Sequence, residues 1–163
     1  MQIIIKSNNT LKFDDFEFKC VLGKNGKTSK KKEGDQKTPK GIFSLGSLFY
    51  RKDRIKSIQT KLKKRPITQK MGWCDDVKSS NYNKLINVNK TERHEKLFRK
   101  DNSYDLIIPI NYNSKKPKKN KGSAIFIHLT NSYKKTLGCV AVNKKDLLIL
   151  LKLINKNTKI KIS

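Results

Sequence analysis

The segment HLTNSYKKTLGC, residues 128–139, places one of the chain's two histidines and one of its three cysteines at opposite ends of a short polar loop. A cysteine attacks a carbonyl group as its thiolate, and a nearby imidazole is the usual means of forming that thiolate. A hairpin-like excursion between the two residues would make His128 and Cys139 neighbours. The alternative is that His128 is a hydrogen-bonded core residue and that Cys139 only follows a turn.

The residues just before the cysteine suit a nucleophile. Gly138 lets the backbone bend, so that the amides of Leu137, Gly138 and Cys139 can converge on a developing oxyanion. The hydroxyl of Thr136 can form a hydrogen bond within the same bend. The same residue types also occur in plain turns, so the pattern alone leaves both interpretations open.

The segments that must position these residues are mostly strand-like. Apolar, β-branched and aromatic residues predict strands at 2–6, 17–23, 41–51, 104–113, 123–130 and 140–142, and they predict a closing edge strand at 158–162. The glycines of GKNGK, residues 23–27, predict a tight reversal. Pro39 restricts Thr38 to extended geometry. The sequence therefore predicts a mainly β fold.

One helix is predicted with clear boundaries, because Asn143 can cap a helix from Lys144 to about Ile154 with Asp146 at its third position. We expect this C-terminal helix to be the main one.

The central stretch, residues 52–102, is rich in Lys, Asn and Ser and has little periodicity. It predicts an elaborated loop region over the core, in which residues 92–100 form two or three helical turns. A chain of 163 residues has room for one domain, so we expect residues 1–163 to fold as a single unit.

The formal net charge of +26 favours polyanions as partners at low salt. The charge comes mostly from Lys, and a bias toward Lys and Asn codons would give the same composition without selection for binding. A basic module that binds nucleic acid would need Arg or aromatic residues clustered on one face, whereas this chain spreads Lys throughout. We therefore expect no specific nucleic-acid partner.

None of the cysteines lies in a CxxC or CxxxH spacing, so we expect no structural metal site and no cofactor. Cys20 and Cys74 are interpreted as buried thiols. The N-terminal MQIIIKSNNT has no basic region, no long apolar stretch and no small-residue cleavage site. It predicts neither a signal peptide nor a transmembrane segment.

Several ordered blocks resemble one family of enzymes. FIHLTNSYKKTLGCVAV resembles the active-site segment of the L,D-transpeptidase (YkuD-type) catalytic domain, which has a His, a variable loop, Ser or Thr, any residue, Gly, Cys and an apolar residue. GDQKTPKGIF is similar to that family's Gly-Asp-x-x-Thr-Pro-x-Gly-x-Phe segment. Further blocks resemble a compact branch found mainly in Gram-negative bacteria: MGWCDD, YN, HEKLFRKDNSYDLIIPINYN and GSAIFIH. The resemblance covers about residues 16–153.

The resemblance implies a fold of β-sandwich-like mixed sheets with one C-terminal helix. It also implies that Cys139 attacks a peptide carbonyl next to diaminopimelate in a peptidoglycan stem peptide, while His128 shuttles the proton. An amine from a second stem then takes the acyl group from the thioester. If water replaces the amine, the same site is an L,D-carboxypeptidase, and the sequence leaves this choice open. The substrate implies the periplasm or cell envelope, and we expect a monomer.

Seven residues in the matching blocks are candidate substrate contacts, and the carboxylates among them could hold the ammonium of the acceptor. They are Trp73, Asp75, Asp76, Tyr82, Tyr104, Asn111 and Tyr112. For each, the alternative is that the aromatic side chain belongs to the core or that the polar group is only solvated.

Three positions depart from the family's pattern. Leu137 stands where some members have His, and Ala141 stands where an Arg is often found. A substrate contact made by that Arg must be absent or supplied elsewhere. Leu129 follows His128 in place of the frequent Gly, so we expect a backbone carbonyl to orient the imidazole. The short loop predicts a small flap over the site.

Overall fold

Residues 1–88 and 91–163 are described by the computed structural model, and they contain fifteen strands and one helix. In chain order the strands are Gln2–Ile5 (β1), Thr10–Phe13 (β2), Phe16–Val21 (β3), Lys27–Thr28 (β4), Thr38–Pro39 (β5), Gly41–Ser44 (β6), Leu48–Tyr50 (β7), Lys64–Pro66 (β8), Met71–Cys74 (β9), Leu85–Asn87 (β10), His94–Lys96 (β11), Leu106–Pro109 (β12), Phe126–Leu129 (β13), Val140–Val142 (β14) and Lys159–Ile162 (β15). The helix, α1, spans Lys144–Leu153.

Ten strands form one sheet in the order β6-β15-β1-β2-β3-β14-β13-β12-β7-β8. The pairs β1 with β15, β13 with β14 and β7 with β8 are parallel, and the other pairs are antiparallel. The predicted mainly β fold with mixed sheets is therefore confirmed.

The main core lies against one face of this sheet. Strands β1 and β15 alternate between exposed and buried residues, so that Ile3, Ile5, Ile160 and Ile162 all face inward. The buried stripe of α1, formed by Leu147, Leu150 and Leu151, belongs to the same cluster. Burial of this apolar surface is the main source of the fold's stability.

The strands that carry the site are buried on both faces. In β13, Ile127 and Leu129 belong to the main core, whereas Phe126 belongs to a second cluster with Tyr104 and Cys139. A strand covered on both sides needs a nearly continuous apolar sequence, which explains the run AIFIHL. His128, the polar member of that run, is therefore placed among apolar neighbours.

The predicted helix is confirmed, and its cap is as expected. The side-chain Oδ1 of Asn143 accepts a hydrogen bond from the backbone N–H of Asp146 at 2.9 Å. A buried helix face and a capped first turn together stabilise α1 at the end of β14. No helix within residues 1–88 and 91–163 is long and apolar enough to cross a membrane.

The helical turns predicted for residues 92–100 are wrong. His94–Lys96 is instead a strand, β11, which pairs antiparallel with β9, and β9 also pairs with β10. The reason is tertiary, because strand geometry lets Leu97 reach the second cluster with 1% of its surface exposed. Packing of this kind overrides a weak helix propensity. The central region thus contains a small three-stranded sheet and strand β8 of the large sheet, together with turns and loops.

Two predicted connections are also wrong. Strand β15 is not an edge strand, because it lies between β1 and β6 in the large sheet. The excursion from His128 to Cys139 is not hairpin-like, because β13 and β14 are parallel. The position of β15 in the sheet and the direction of β14 relative to β13 both depend on pairing between strands that are distant in sequence. The local pattern of apolar residues does not predict such pairing.

Two arginines hold the segment after β11 in place. Arg54 donates to the carboxylate of Asp105 at 2.9 Å and to backbone carbonyls of residues 100 and 101. The guanidinium of Arg51 lies 3.6 Å from the ring centroid of Phe98 and donates to the carbonyl of Arg99. These contacts fix residues 98–105, and Arg99 and residues 101–104 of this segment line the cavity described next.

Candidate active site

One cavity of about 820 Å³ brings together residues from distant parts of the chain. His128 comes from β13, Cys139 directly precedes β14, and Tyr104 precedes β12. Since β13 and β14 run parallel with His128 opposite Ala141, the crossover loop 130–139 returns the cysteine to the vicinity of the histidine. The predicted pairing of these two residues at one site is thus compatible with the topology.

The imidazole of His128 is held by the backbone. Its Nδ1 lies 2.9 Å from the carbonyl oxygen of Leu129, which can only accept, so Nδ1 carries the proton and Nε2 keeps its lone pair. The ring of Tyr104 packs edge-on against it, with centroids 5.3 Å apart. Burial lowers the pKa of His128 below its ordinary value because the imidazolium loses hydration. The expected orientation by a carbonyl is confirmed.

The thiol of Cys139 is buried, with 8% of the residue exposed. Its S–H donates to the carbonyl oxygen of Ala124 at 3.3 Å, and the N–H of Phe126 donates to Sγ at 3.4 Å. Burial, with a smaller contribution from the negative charge of Glu95, raises the pKa of the thiol to about 12. Both shifts favour a neutral thiol and a neutral imidazole in the resting site.

The bend before the cysteine has the expected glycine. Gly138 has φ +140°, and a Cβ there would lie 3.0 Å from the carbonyl oxygen of Lys37. Thr136 donates from Oγ1 to the carbonyl of Cys139 at 2.7 Å and accepts from the N–H of Gly138 at 3.1 Å. The N–H of Gly138 is therefore already in use. Leu137 is 75% exposed at the cavity.

The loop before β5 supports this bend from behind. The carboxylate of Asp35 accepts backbone N–H groups of Lys32 at 2.8 Å and Lys37 at 2.9 Å, and it pairs with the buried Lys31. Thr38 Oγ1 accepts the N–H of Gly23 at 2.8 Å. These bonds explain why a Gly-Asp-x-x-Thr-Pro sequence lies here, since it presents the carbonyl of Lys37 to the bend.

Two of the seven predicted substrate contacts line the cavity, namely Asp75 and Tyr104. Asp75 forms a 3.1 Å ion pair with Arg93, which also lines the cavity. Tyr104 is 5% exposed, and its hydroxyl donates to the carboxylate of Glu95. Asp75 therefore lines the cavity as one member of an ion pair, whereas Tyr104 contributes mainly the edge of its ring.

The other five predicted contacts do not line this cavity. Trp73 packs edge-on against Phe126 with centroids 5.1 Å apart, and Tyr82 is 2% exposed. Asp76 accepts the N–H of Lys78 at 2.9 Å in a turn. Asn111 donates to Ser44 at 2.9 Å and lines a separate shallow pocket, and Tyr112 donates to the carbonyl of Lys121 at 2.6 Å.

Several cavity residues were missed by sequence reasoning. Glu33, Glu95 and Asp101 add three carboxylates, and Arg99 adds a cation 4.8 Å from the ring centroid of Tyr104. Burial raises the pKa of Glu95 above its ordinary value. Glu95, Arg99 and Asp101 lie in the block HEKLFRKDNSYDLIIPINYN, the first part of which we interpreted as helical, and Glu33 directly precedes the segment GDQKTPKGIF.

No cluster of three or more His, Cys, Asp or Glu side chains in residues 1–88 and 91–163 has the arrangement of a metal site. All three cysteines are free thiols, and Cys20 and Cys74 are fully buried as predicted. The chemistry open to the cavity is therefore that of one thiol, the imidazoles of His128 and His94, and a mixed ring of acids and bases.

The fold of this chain resembles that of a solved structure. The chain is similar to the helical cell shape determining protein Pgp2 from Campylobacter jejuni, with TM-score 0.57 and 19% identity over 99% of this chain and 46% of that chain. An L,D-transpeptidase from Mycobacterium smegmatis aligns with TM-score 0.49 and 8% identity, over 99% of this chain and 58% of that one. The chain thus spans about half the length of these structures. No curated protein sequence matches it.

A family model describes almost the whole chain. The YkuD model, the L,D-transpeptidase catalytic domain, matches residues 3–162. This match includes the His128 to Cys139 segment and confirms the resemblance seen in the sequence. The chain belongs to the YkuD family of L,D-transpeptidase catalytic domains.

Proposed function

We propose that this chain is a peptidoglycan L,D-transpeptidase that cross-links stem peptides through a thioester on Cys139. One observation carries the proposal beyond family membership. Cys139 and His128 line the same cavity, and the carbonyl of Leu129 leaves Nε2 of His128 as the basic nitrogen. A neutral thiol and a neutral imidazole are the pair that general-base catalysis requires.

In the first half-reaction, Sγ of Cys139 attacks the carbonyl carbon of the peptide bond after diaminopimelate in the donor stem. The thiol proton passes to Nε2 of His128 as the C–S bond forms, so no free thiolate is needed. The tetrahedral oxyanion then collapses, the C–N bond breaks, and His128 returns the proton to the leaving amine. The shortened donor stem remains as a thioester on Cys139, and the residue after diaminopimelate leaves as a free amine.

The oxyanion needs donors that are free in the resting protein. Gly138 donates its N–H to Thr136, so the sequence-based set of three amides is reduced. We assign the oxyanion to the N–H groups of Leu137 and Cys139, which flank the strained glycine. Thr136 and Gly138 support the site by holding the bend in shape.

In the second half-reaction, the ammonium of the acceptor stem first loses a proton to solvent. The free amine then attacks the thioester and passes a second proton to Nε2 of His128, which gives it to Sγ of Cys139 as the C–S bond breaks and the new amide forms. Asp75, Glu33 and Asp101 place negative charge around the cavity, which suits a cationic acceptor. Arg93 and Arg99 suit the carboxylates of the stems.

Hydrolysis by the same site is the nearest alternative, in which water attacks the thioester. A polyanion-binding module without catalysis is the alternative from another class. Both follow from the same residues or charge, so the reaction products must decide between them. Under the proposal the protein acts in the periplasm or cell envelope as a monomer.

The test is mass analysis of muropeptides after incubation with the purified protein, with Cys139→Ala as the matched control. Cross-linked dimers that have lost the donor's terminal residue support the proposal. Shortened monomers without dimers would assign hydrolysis, and an unchanged muropeptide profile would overturn the enzyme assignment.

A further inference from the structure

We propose that Asn83 is a positioning residue for the sulfur of Cys139, because it holds the backbone segment 122–124 on which the thiol is seated. The inference rests on the proposed function only in calling that sulfur a nucleophile. Asn83 lies in the turn between β9 and β10, so the proposal also gives the small central sheet a role at the active site.

All the hydrogen-bonding capacity of the Asn83 side chain is directed at the protein. It is 5% exposed, and its Oδ1 accepts from Trp73 Nε1 at 2.9 Å and from the N–H of Ala124 at 3.0 Å. Its Nδ2 donates to the carbonyls of Tyr112 at 3.1 Å and Asn113 at 2.8 Å. A buried amide with four hydrogen-bond partners can satisfy all of them in only one position, so the Asn83 side chain is held rigidly.

The segment 122–124 is anchored at each of its three residues. The N–H of Gly122 donates to the hydroxyl of Tyr82 at 2.9 Å, and Ser123 Oγ donates to the carboxylate of Glu33 at 2.7 Å. The hydroxyl of Tyr82 donates to the same carboxylate. Tyr82 and Asn83, two adjacent residues before β10, therefore fix a segment about forty residues further along the chain, and Glu33 fixes the same segment from the N-terminal part of the chain.

The segment ends at the thiol. The carbonyl of Ala124 accepts the S–H of Cys139 at 3.3 Å, and the N–H of Phe126 donates to the same sulfur at 3.4 Å. Ala124 has φ +52°, a conformation that costs a residue with a Cβ and persists only where neighbours enforce it. Asn83 is the residue that accepts the N–H of Ala124 itself, so we assign to it the main part in holding this conformation.

If the segment 122–124 is released, the thiol of Cys139 should react faster with small electrophiles but turn over a bound peptide more slowly. Without the Ala124 carbonyl in place, the thiol loses its hydrogen-bond acceptor and part of its burial, so small electrophiles reach it more easily. Attack on a bound peptide requires the sulfur in one position, so a looser sulfur lowers turnover.

The test uses Asn83→Gly, since glycine adopts the positive φ of +58° at this position without strain. Alkylation of Cys139 by iodoacetamide at neutral pH, followed by peptide mass spectrometry, should be at least about fivefold faster than in the wild type. The kcat for muropeptide cross-linking should fall by about tenfold or more with little change in KM. Cys20, in the main core, should alkylate at its wild-type rate.

Asn81→Ala is the matched control, because this neighbouring asparagine donates to Glu92 at 3.0 Å and its side chain is not among the groups that hold residues 122–124. It should leave both readouts unchanged. Tyr82→Phe keeps the buried ring but removes the acceptor for Gly122, so it should shift both readouts in the same direction by a smaller factor. If Asn83→Gly does not fold, Tyr82→Phe tests whether the anchors of residues 122–124 position the sulfur of Cys139.

Two results would overturn the inference. One is a folded Asn83→Gly protein in which Cys139 alkylates at the wild-type rate. The other is parallel acceleration at Cys20, which would make Asn83 merely a structural residue. Alkylation does not depend on cross-linking activity, so a wild-type protein without transferase activity would defeat the proposed function and leave this test intact.

Discussion

Nδ1 of His128 and the carbonyl oxygen of Leu129 are 2.9 Å apart, and this one bond sets the tautomer of the imidazole. In many catalytic sites a carboxylate does this work and stabilises the imidazolium that forms. Here a neutral carbonyl orients the ring, while burial lowers the pKa of His128. Under the proposed function, His128 is therefore a neutral base that accepts a proton only during the attack.

Replacement of the nucleophile tests the central assignment. Cys139→Ala should reduce cross-linking and hydrolysis by at least about a thousandfold, since no other group forms the thioester. Cys20→Ala and Cys74→Ala should keep most of the activity while losing about 1 kcal/mol of unfolding free energy from the cavity they leave. Full turnover by Cys139→Ala would contradict the assignment.

The acid limb of the pH profile reports on His128. The base is inactive when protonated, and the pKa of His128 lies below its ordinary value of 6.5 because burial disfavours the imidazolium. The kcat/KM for the donor stem should therefore fall with a midpoint below pH 6.5. In His128→Ala this limb should disappear together with most of the activity, and a midpoint above 6.5 in the wild type would argue against a buried neutral base.

Glu95 couples stability to pH. Its pKa is raised above the ordinary value of 4.5, so the folded state binds this proton more tightly than the unfolded state does. The resulting stability is fully present below pH 4.5 and is lost as the pH rises through the raised pKa. Glu95→Gln keeps an acceptor for Tyr104 and should gain in melting temperature over the wild type as the pH rises across that range.

The same substitution should affect the thiol. The negative charge of Glu95 is one cause of the raised pKa of Cys139. In the Glu95→Gln protein, Cys139 should therefore be alkylated faster at mildly alkaline pH, whereas the alkylation rate of Cys20 should not change. An unchanged rate at Cys139 would mean that Glu95 is protonated in the wild type over that range.

Gly138 is expected to be needed for both shape and activity. In Gly138→Ala, φ +140° is strained for alanine and the new Cβ would lie 3.0 Å from the carbonyl oxygen of Lys37, so the unfolding free energy should fall by about 1–3 kcal/mol. The strain should also displace the bend beside Cys139, so activity should fall as well. Gly26→Ala is the control, since φ is +84° there and no atom lies within 4 Å of a Cβ. It should cost stability without loss of turnover.

The Lys-rich surface should attract anionic wall material through long-range electrostatic forces that salt screens. The segment NSKKPKKNK, residues 113–121, and the net charge of +26 predict that binding to insoluble anionic wall material weakens steeply as salt rises. Turnover of small soluble stem peptides should be far less sensitive to salt. Pulldown and turnover assays across one salt series test both, and a parallel collapse would place the lysines in the active site.

The sequence by itself determined the features that depend on neighbours along the chain. Asn143 caps α1 because its side chain reaches the amide of Asp146, three residues on, and Gly138 bends the chain beside Cys139 because only glycine lacks a Cβ. The ordered blocks around His128 and Cys139 were enough to predict the family. The strands with β-branched alternation were predicted for the same reason, since one residue's face fixes that of the next.

Only the tertiary structure decided which distant groups meet. Residues 92–100 have an ambiguous pattern, and pairing with β9 made His94–Lys96 a strand that delivers Glu95 to the cavity. Tertiary packing also brings Glu33 and Asn83 into hydrogen-bond contact with the segment before β13. It places Trp73 and Tyr112 away from the cavity wall. Burial then set the charge states of Cys139 and His128. Hydration lost on folding is a property of the surroundings, so residue types alone do not predict it.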